Sequence, residues 1–402
     1  MKIKVGLFFG GNSTEHEVSV ISALQAKESF NEEKYEIIPI YITKQNEMYV
    51  GEKIGDIKEY KNISNLLNNS KRVILVKNGN KVELVKYPLK KFGNNVYDTI
   101  DVAFPIVHGT NVEDGTLQGY LKMLGIPYVG CNVLSSAIGM DKYVMKTVLK
   151  DNDIPVLDCL VFDLLDYSNP KLIKEKVLQK FEYPVIIKPI DLGSSIGIKK
   201  ASNDEELIDA IDYAFTFATK ILIERAVVNL REINCAVMGD YEEMVASECE
   251  EPISSDEILS FNDKYLSGSK SKSGKLGVKS ATSKGMSSLQ RKLPADLSDE
   301  KREEIRELAK RTFKVLGCNG VARIDFILDG DKVYVNEINT IPGSLAFYLF
   351  KAINIPYEEE LDKMISLALK REREENAVTF SFDSNILENV NIGGVKHSKL
   401  SK

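Results

Sequence analysis

Apolar and polar positions alternate from Val321 to Asn339, VARIDFILDGDKVYVNEIN, with a break at Asp329-Gly330-Asp331. Alternation with this period predicts two half-buried strands, and the Asp-Gly break predicts a tight hairpin turn between them. Arg323 and Asp325 then share one face of the first strand, and Val335, Glu337 and Asn339 share one face of the second. Register decides whether the two sets meet. A three-residue turn pairs Leu328 with Lys332 and sets Glu337 opposite Arg323, diagonal to Asp325. A two-residue turn at Gly330-Asp331 sets Glu337 opposite Ile324, on the other face.

The same reading, taken from the start of the chain, predicts alternating strands and helices. Ile3–Phe9 is an apolar strand that runs into Gly10-Gly11 and a helix starting near Thr14. Further strands are expected at Ile37–Ile42, Val73–Val76, Val82–Val85, Ile100–Val107 and Ile126–Cys131, followed by a helix over 132–152. A second unit begins by about Ile154, with strands at Leu157–Phe162, Pro184–Ile187 and Ile221–Glu224 and helices over 171–181 and 204–218. Helices over 299–316 and 357–372 flank the hairpin, and Ala377–Phe382 adds a strand before a polar tail. Ser254–Arg291 is rich in Ser, Lys and Gly and poor in core residues, the composition of a disordered linker or an active-site lid.

Composition narrows the class. With 402 residues, 43% apolar and 28% charged, the chain has room for two or three domains with their own cores. A net charge of −6 argues against a nucleic-acid partner. No apolar run is long enough to span a membrane, and the N-terminus lacks a signal-peptide pattern. The five cysteines are scattered, odd in number and without a CxxC pair, as expected for reduced thiols in a cytoplasmic protein rather than zinc ligands.

Several positions carry candidate chemistry. Asp325, Glu337 and Asn339 offer only oxygen donors, which suits Mg²⁺ or Mn²⁺. A solvated face with a cross-strand Arg323–Glu337 pair accounts for the same residues equally well. Glu15 and Glu17 occupy the first turn of the first helix, where one can favour the helix dipole and the other can meet a cationic ligand. His108 ends a strand where α/β proteins place ligands, although a lone histidine is more often structural. Lys188 closes the buried-looking strand VIIK and so needs a partner. The following loop, DLGSSIGI, offers N–H groups and hydroxyls to phosphate but is not a Walker loop. Glu224 and Glu232 flank an apolar hinge fit for an adenine and a ribose.

Taken in order, GGNSTEHEVSVISA, HGTNVEDGTLQGYLKMLGIPYVGC, MDK, YPVIIKP with GSSIGI, Lys264-Tyr265, ARIDF and NEINTIPG resemble the D-alanine–D-alanine ligases of the ATP-grasp superfamily, from about Lys4 to Leu369. The resemblance implies an α/β (α+β ATP-grasp) fold: a parallel-sheet N-terminal domain (1–135) and two ATP-grasp subdomains (136–225 and 226–375). It also implies a lid over 254–292 and a polar tail over 376–402. It implies that ATP phosphorylates the carboxylate of one amino acid and that the amine of a second attacks the acyl phosphate, in peptidoglycan precursor synthesis. Lys142, Lys188 and Ser195 would hold phosphates together with Lys264, and Glu224, Ala226, Val227 and Glu232 the nucleoside. Asp325, Glu337 and Asn339 would bind two Mg²⁺ (or Mn²⁺). Arg323 and Gly343 would stabilise the oxyanion, and Glu15 with His108 would take the first ammonium. Tyr265 would join Glu15 and Ser194 to close the site, and Tyr348 and Leu349 would meet the second substrate. Amino-acid substrates, no nucleic acid, no membrane and a homodimer complete the implication.

Three departures stand out. The lid is longer than the family pattern, Asn111-Val112 replaces the first glycine of a GGEDG-like turn, and Tyr348 stands where a serine would grip the second carboxylate. The ATP chemistry is untouched by these changes; the second substrate is what they bear on. A D-Ala–D-Ser or other dipeptide ligase, and a non-catalytic ATP-binding paralogue, are the alternatives. Lys264-Tyr265 argues against a depsipeptide ligase.

Overall fold

A run as apolar as IKVGLFF is stable only where both faces of a strand are covered, and the first strand takes that place. The computed structural model describes residues 2–193, 196–253, 291–379 and 381. The expectations at Ser194, Ser195, Lys264 and Tyr265, nearly all of the lid and most of the tail lie outside these residues. The first sheet is built from β1 (Ile3–Gly10), β2 (Tyr35–Ile42), β3 (Met48–Val50), β4 (Lys71–Asn78), β5 (Lys81–Lys86), β6 (Val96–Ile100) and β7 (Val102–Ile106). Their order is β6-β5-β4-β3-β2-β1-β7. β1 runs parallel to β2 and β7, and the other pairings are antiparallel. Parallel pairing is confined to these three strands because the β2–β3 and β4–β5 connections are too short for a crossover. At the end of β1, Gly10 has φ +96°, and a side chain there would strike the Ile42 carbonyl.

Three sequence expectations change, and a fourth, the strand over Ala377–Phe382, lies partly outside the described residues. The strand expected over Ile100–Val107 is split at Asp101, whose backbone and carboxylate both bond to Lys4 of β1. The segment Ile126–Cys131 makes only an isolated bridge, Ala103 to Tyr128. The helix expected over 132–152 is two helices, Val133–Met140 and Lys142–Asp151. They break at Asp141, whose extended backbone lets its carboxylate accept from the N–H groups of Tyr143 and Val144. No strand forms among the described residues after the Tyr357–Asn376 helix.

The second sheet contains β8 (Cys159–Asp163), β9 (Val185–Pro189), β10 (Lys199–Ala201) and β11 (Lys220–Arg225), in the order β10-β9-β11-β8. The Pro170–Lys180 and Asp204–Phe215 helices share its core through Ile173, Val177, Leu207 and Ile211. The third contains β12 (Arg231–Gly239), β13 (Met244–Pro252), β14 (Arg291–Lys292), β15 (Gly320–Asp329) and β16 (Lys332–Asn339), in the order β14-β13-β12-β15-β16.

The third sheet positions the site. Ile324 and Phe326 of β15 share a core with Ile305, Ala309 and Phe313 of the Asp299–Val315 helix. Ser298 caps that helix by accepting from the Lys301 N–H. Each fully buried large apolar side chain contributes about 1.5–3 kcal/mol. Ala236, Met238 and Val321 instead join the core of the first sheet, together with Leu361 and Met364 of the last helix. Polar side chains are left on the remaining part of the sheet.

The hairpin takes the second of the two expected turns, and a bulge corrects where both alternatives had set Glu337. The turn is the two-residue Gly330-Asp331 form, with Asp329 paired to Lys332. A bulge at Asn336 then shifts the ladder, so that Asp325 faces Glu337 and Arg323 faces Asn339. Val335 consequently lies in the core with Phe326 rather than sharing a face with Glu337 and Asn339.

Candidate functional site

The bulge completes a polar row. Strand pairing sets Glu250 against Asn234, Asn234 against Asp325, and Asp325 against Glu337. One line of polar side chains thus crosses β13, β12, β15 and β16. Arg323 and Asp325, two residues apart on one strand, form a two-point pair: Nε to Oδ1 at 2.7 Å and Nη2 to Oδ2 at 2.8 Å. Asn339 Nδ2 also donates to Asp325 Oδ2, at 3.0 Å. The cross-strand Arg323–Glu337 pair of the solvated-face reading does not form, because the two-residue turn and the bulge together set Glu337 opposite Asp325 and Arg323 opposite Asn339. Burial alone would lower the affinity of the Arg323 guanidinium for its proton; Asp325 outweighs it and holds the pKa above its ordinary value.

A cationic wall faces the Glu337 end of the row. Lys142 opens the Lys142–Asp151 helix; its Nζ donates to the Leu192 carbonyl at 2.6 Å and lies 3.7 Å from Glu337 Oε2. Lys188 on β9 meets Glu224 Oε1 at 2.6 Å and donates to Asn336 Oδ1 at 3.2 Å. The partner that a buried lysine requires is thus Glu224, with the bulge residue beside it. Lys146, one helical turn after Lys142, reaches the other Glu224 oxygen at 2.6 Å. Burial, the largest influence on Glu224, pushes its carboxyl up, but Lys188 and Lys146 together bring it down to about 2.

Beside this wall, between the second and third sheets, lies a cleft of about 630 Å³. Leu157, Ile186 and Ile327 line it with Ala226, Val227 and Glu232, so the positions expected to hold a nucleoside come together. Glu224 also lines the cleft, although its carboxylate is held by the two ammoniums. The Ala226 N–H donates to the Pro184 carbonyl.

The N-terminal sheet supplies the opposite corner. Glu15 is buried beside the start of the Thr14 region helix, His16–Lys27, and its side chain makes no cap bond. Glu17 points outward to Lys44. A side chain added at Gly109 or Gly193 would come within 3.4 Å or 3.8 Å of Glu15 Oε2, which places this carboxylate between the two loops. His108 is fully engaged: Nδ1 with the Ile341 carbonyl at 2.8 Å and Nε2 with Ser22 Oγ at 3.2 Å. Burial, foremost, keeps its imidazole below the ordinary pKa. Burial and the nearby Glu15 carboxylate push Glu113 up to about 8. Asn111 takes φ +70°, the left-handed backbone that the missing glycine would have supplied.

Gly343 opens a tight turn in which Ser344, Leu345 and Ala346 all have left-handed φ values, +49°, +54° and +58°. Ser22 accepts from the Ser344 N–H at 3.0 Å, and Ser344 Oγ donates to Gln25 Oε1 at 2.9 Å. Such a run costs about 1–2 kcal/mol per residue and is held by burial of all three side chains. The turn delivers Tyr348 to the polar row, where its hydroxyl donates to Glu250 Oε1 at 2.8 Å. Leu349, the other position expected to meet the second substrate, has its side chain fully buried in the core, because successive positions of the short Phe347–Lys351 helix point in different directions.

Sequence reasoning missed Lys146, Asn234, Glu250, Arg291 and Asn336. The spacing of Lys142 and Lys146 by four, one face of a helix, was an available signal for the first. Asn234 and Glu250 carried none, because each enters the row only through strand pairing. Asp325, Glu337 and Asn339 suit a divalent cation that takes its other ligands from phosphate and water, the usual arrangement for Mg²⁺. No cluster of three His, Cys, Asp or Glu side chains among the described residues forms a closed metal cage.

Residues 4–131 match the family described as D-ala D-ala ligase N-terminus, and residues 148–366 match D-ala D-ala ligase C-terminus. A D-alanine–D-alanine ligase of Caldicellulosiruptor bescii is 42% identical over 389 residues, covering 94% of this chain and 99% of the relative. The solved D-alanine–D-alanine ligase of Coxiella burnetii superposes with a TM-score of 0.76 at 28% identity, over 94% of this chain and 96% of its own. The VanG D-Ala:D-Ser ligase of Enterococcus faecalis gives 0.74 at 31% identity, over 92% and 100%.

Proposed function

Because this chain belongs to the D-alanine–D-alanine ligase family, we propose that it joins two D-alanine molecules while converting ATP to ADP and phosphate. The observation that carries the reading is the meeting of Glu337, which stands opposite Asp325, with Lys142, and of the adjacent Asn336 with Lys188, beside a nucleoside-sized cleft. Two adjacent carboxylates with two lysine ammoniums along the neighbouring wall form a site for a polyphosphate and a divalent cation together. Asp325, Glu337 and Asn339 would hold Mg²⁺, which when bound neutralises the charge of the transferring phosphoryl group.

The chain's own residues have separate tasks. Lys142 and Lys188 bind phosphate oxygens from the wall opposite Glu337. The cleft between Ile186 and Ile327 takes the base, with Ala226 and Val227 at its edge and Glu232 placed for the ribose. Glu15, between Gly109 and Gly193, takes the ammonium of the first D-alanine and so presents its carboxylate to ATP. His108, held neutral by burial, supports the turn that carries Gly343 through the Ile341 carbonyl. Arg323, fixed by Asp325, steadies the oxygen that gains charge when the second amine attacks the acyl phosphate; one such donor contributes about 3–4 kcal/mol. The product is a peptidoglycan precursor. We read the three sheets as three units, 1–135, 136–225 and 226–375, with the nucleotide between the last two.

The test is ADP and dipeptide formation from ATP, Mg²⁺ and D-alanine, with D-serine, D-lactate and L-alanine as competing acceptors. D-Alanyl-D-alanine as the main product is the expected result. Binding of ATP without any amino-acid-dependent ADP release would overturn the reading.

A further inference from the structure

The row has a second pole. At Glu337 it meets Lys142 and, through Asn336, Lys188, which makes that end the phosphate end. At the other end Glu250 is almost fully buried and accepts from three groups: Asn234 Nδ2 at 3.1 Å, the Tyr348 hydroxyl at 2.8 Å and Arg291 Nη1 at 2.8 Å. The Arg291 guanidinium carbon also lies 4.2 Å over the centre of the Tyr348 ring. An ion pair on one side and an aromatic face on another fix the plane of this cation.

Under the ligase reading, on which this inference rests, the amine of the acceptor approaches the acyl carbon away from the departing phosphate. The acceptor's carboxylate therefore needs a cation at the pole opposite Lys142 and Lys188. Two guanidinium groups stand near that pole. Arg323 directs both Nε and Nη2 at Asp325. Arg291 directs Nη1 at Glu250 and sits beside Tyr348, five positions after the turn residue Gly343.

We propose that Arg291 binds the carboxylate of the second amino acid, with Tyr348 as the wall against which it is stacked. Glu250 is a positioning residue that holds both. The tyrosine's hydroxyl is directed to Glu250, so the phenol orients the cation and narrows the acceptor pocket instead of gripping substrate.

The experiment compares Arg291→Gln, Arg291→Lys and Glu250→Gln with the wild type, resolving the KM of each amino-acid site. D-Alaninamide serves as a second acceptor: it has an amine but no carboxylate, so it can neither be phosphorylated nor be held by a carboxylate-binding cation. Arg291→Gln should raise the second-site KM for D-alanine about a hundredfold, in keeping with a truncated charge pair, with a penalty at least about tenfold smaller for D-alaninamide. Arg291→Lys should recover part of the loss. Glu250→Gln should move the second-site KM in the same direction by a smaller factor. D-Alanine-dependent positional isotope exchange within ATP reports acyl-phosphate formation at the first site and should persist in all three. Equal penalties for the two acceptors, or an unchanged second-site KM, would overturn this inference alone. A wild type without D-alanine-dependent ADP formation would overturn the ligase reading and this inference with it.

Discussion

Asp325 and Glu337 stand directly opposite each other on β15 and β16, although an unbroken ladder from the Gly330-Asp331 turn would have set Glu337 against Ile324. Asn336, the extra residue, makes the difference. It re-phases the strand so that Val335 and Ile338 stay in the core while Glu337 and Asn339 turn to the site. The two carboxylates differ in surroundings, and that difference is measurable.

Glu337→Gln should lower turnover by about a thousandfold or more, the loss expected when charge is removed from a transfer site, with little change in thermal stability. Asp325→Asn should lower turnover as well and also destabilise the fold by about 3–5 kcal/mol, because it leaves the largely buried Arg323 without its two-point partner. Steady-state kinetics beside denaturant unfolding would check both halves. Equal stability of the two variants would contradict the assigned role of the Arg323–Asp325 pair.

Asn336→Ala removes the oxygen that Lys188 contacts at 3.2 Å while keeping the bulge length. The KM for ATP should rise about fivefold, as for one hydrogen bond near 1 kcal/mol, with the amino-acid constants unchanged. Titration of ATP at saturating D-alanine measures it. A shift confined to the amino-acid constants would show that Lys188 does not serve the nucleotide.

Acid should act on the fold through Glu224. Burial pushes its carboxyl up, but Lys188 and Lys146 outweigh that and depress the folded-state pKa to about 2, from an ordinary carboxyl value of 4.5. Its stabilising contribution is therefore present above the unfolded value and is lost as pH falls from 4.5 toward 2. Glu224→Gln should flatten that part of the stability profile and cost about 3–5 kcal/mol at neutral pH, since two buried ammoniums lose their anion. Urea unfolding across this range is the measurement, and a profile as steep as that of the wild type would refute it.

Glu360 should behave in the opposite sense. It is fully buried on the last helix without a hydrogen-bond partner among the described residues, and burial raises its pKa well above the ordinary carboxyl value. Its raised folded value favours the native state below the unfolded pKa and opposes it as pH rises. Glu360→Gln should stabilise the protein at neutral pH by about 1–3 kcal/mol, with the gain vanishing in acid. Melting temperatures at both pH values would decide; a loss of stability at neutral pH would reveal a partner for the carboxylate.

What the sequence determined by itself was local and periodic. Alternation placed Arg323 and Asp325 on one face, the apolar run at Val185–Lys188 demanded a partner for its lysine, and an ordered set of short motifs identified the family and its expected site residues. Tertiary structure decided what depends on register and on contacts across long separations. The Asn336 bulge set which carboxylates face each other, because a one-residue slip exchanges the two faces of a strand and no residue type announces it. Asp141 divided a helix that reads as continuous, because a cap competes with helix propagation only through its own backbone angles. Glu250 joined Tyr348 across 98 positions and Arg291 across 41, and Lys146 joined Glu224 across 78. These buried charges find partners because an uncompensated charge is costly in the interior, and only the folded arrangement of the sheets determines which partner is within reach.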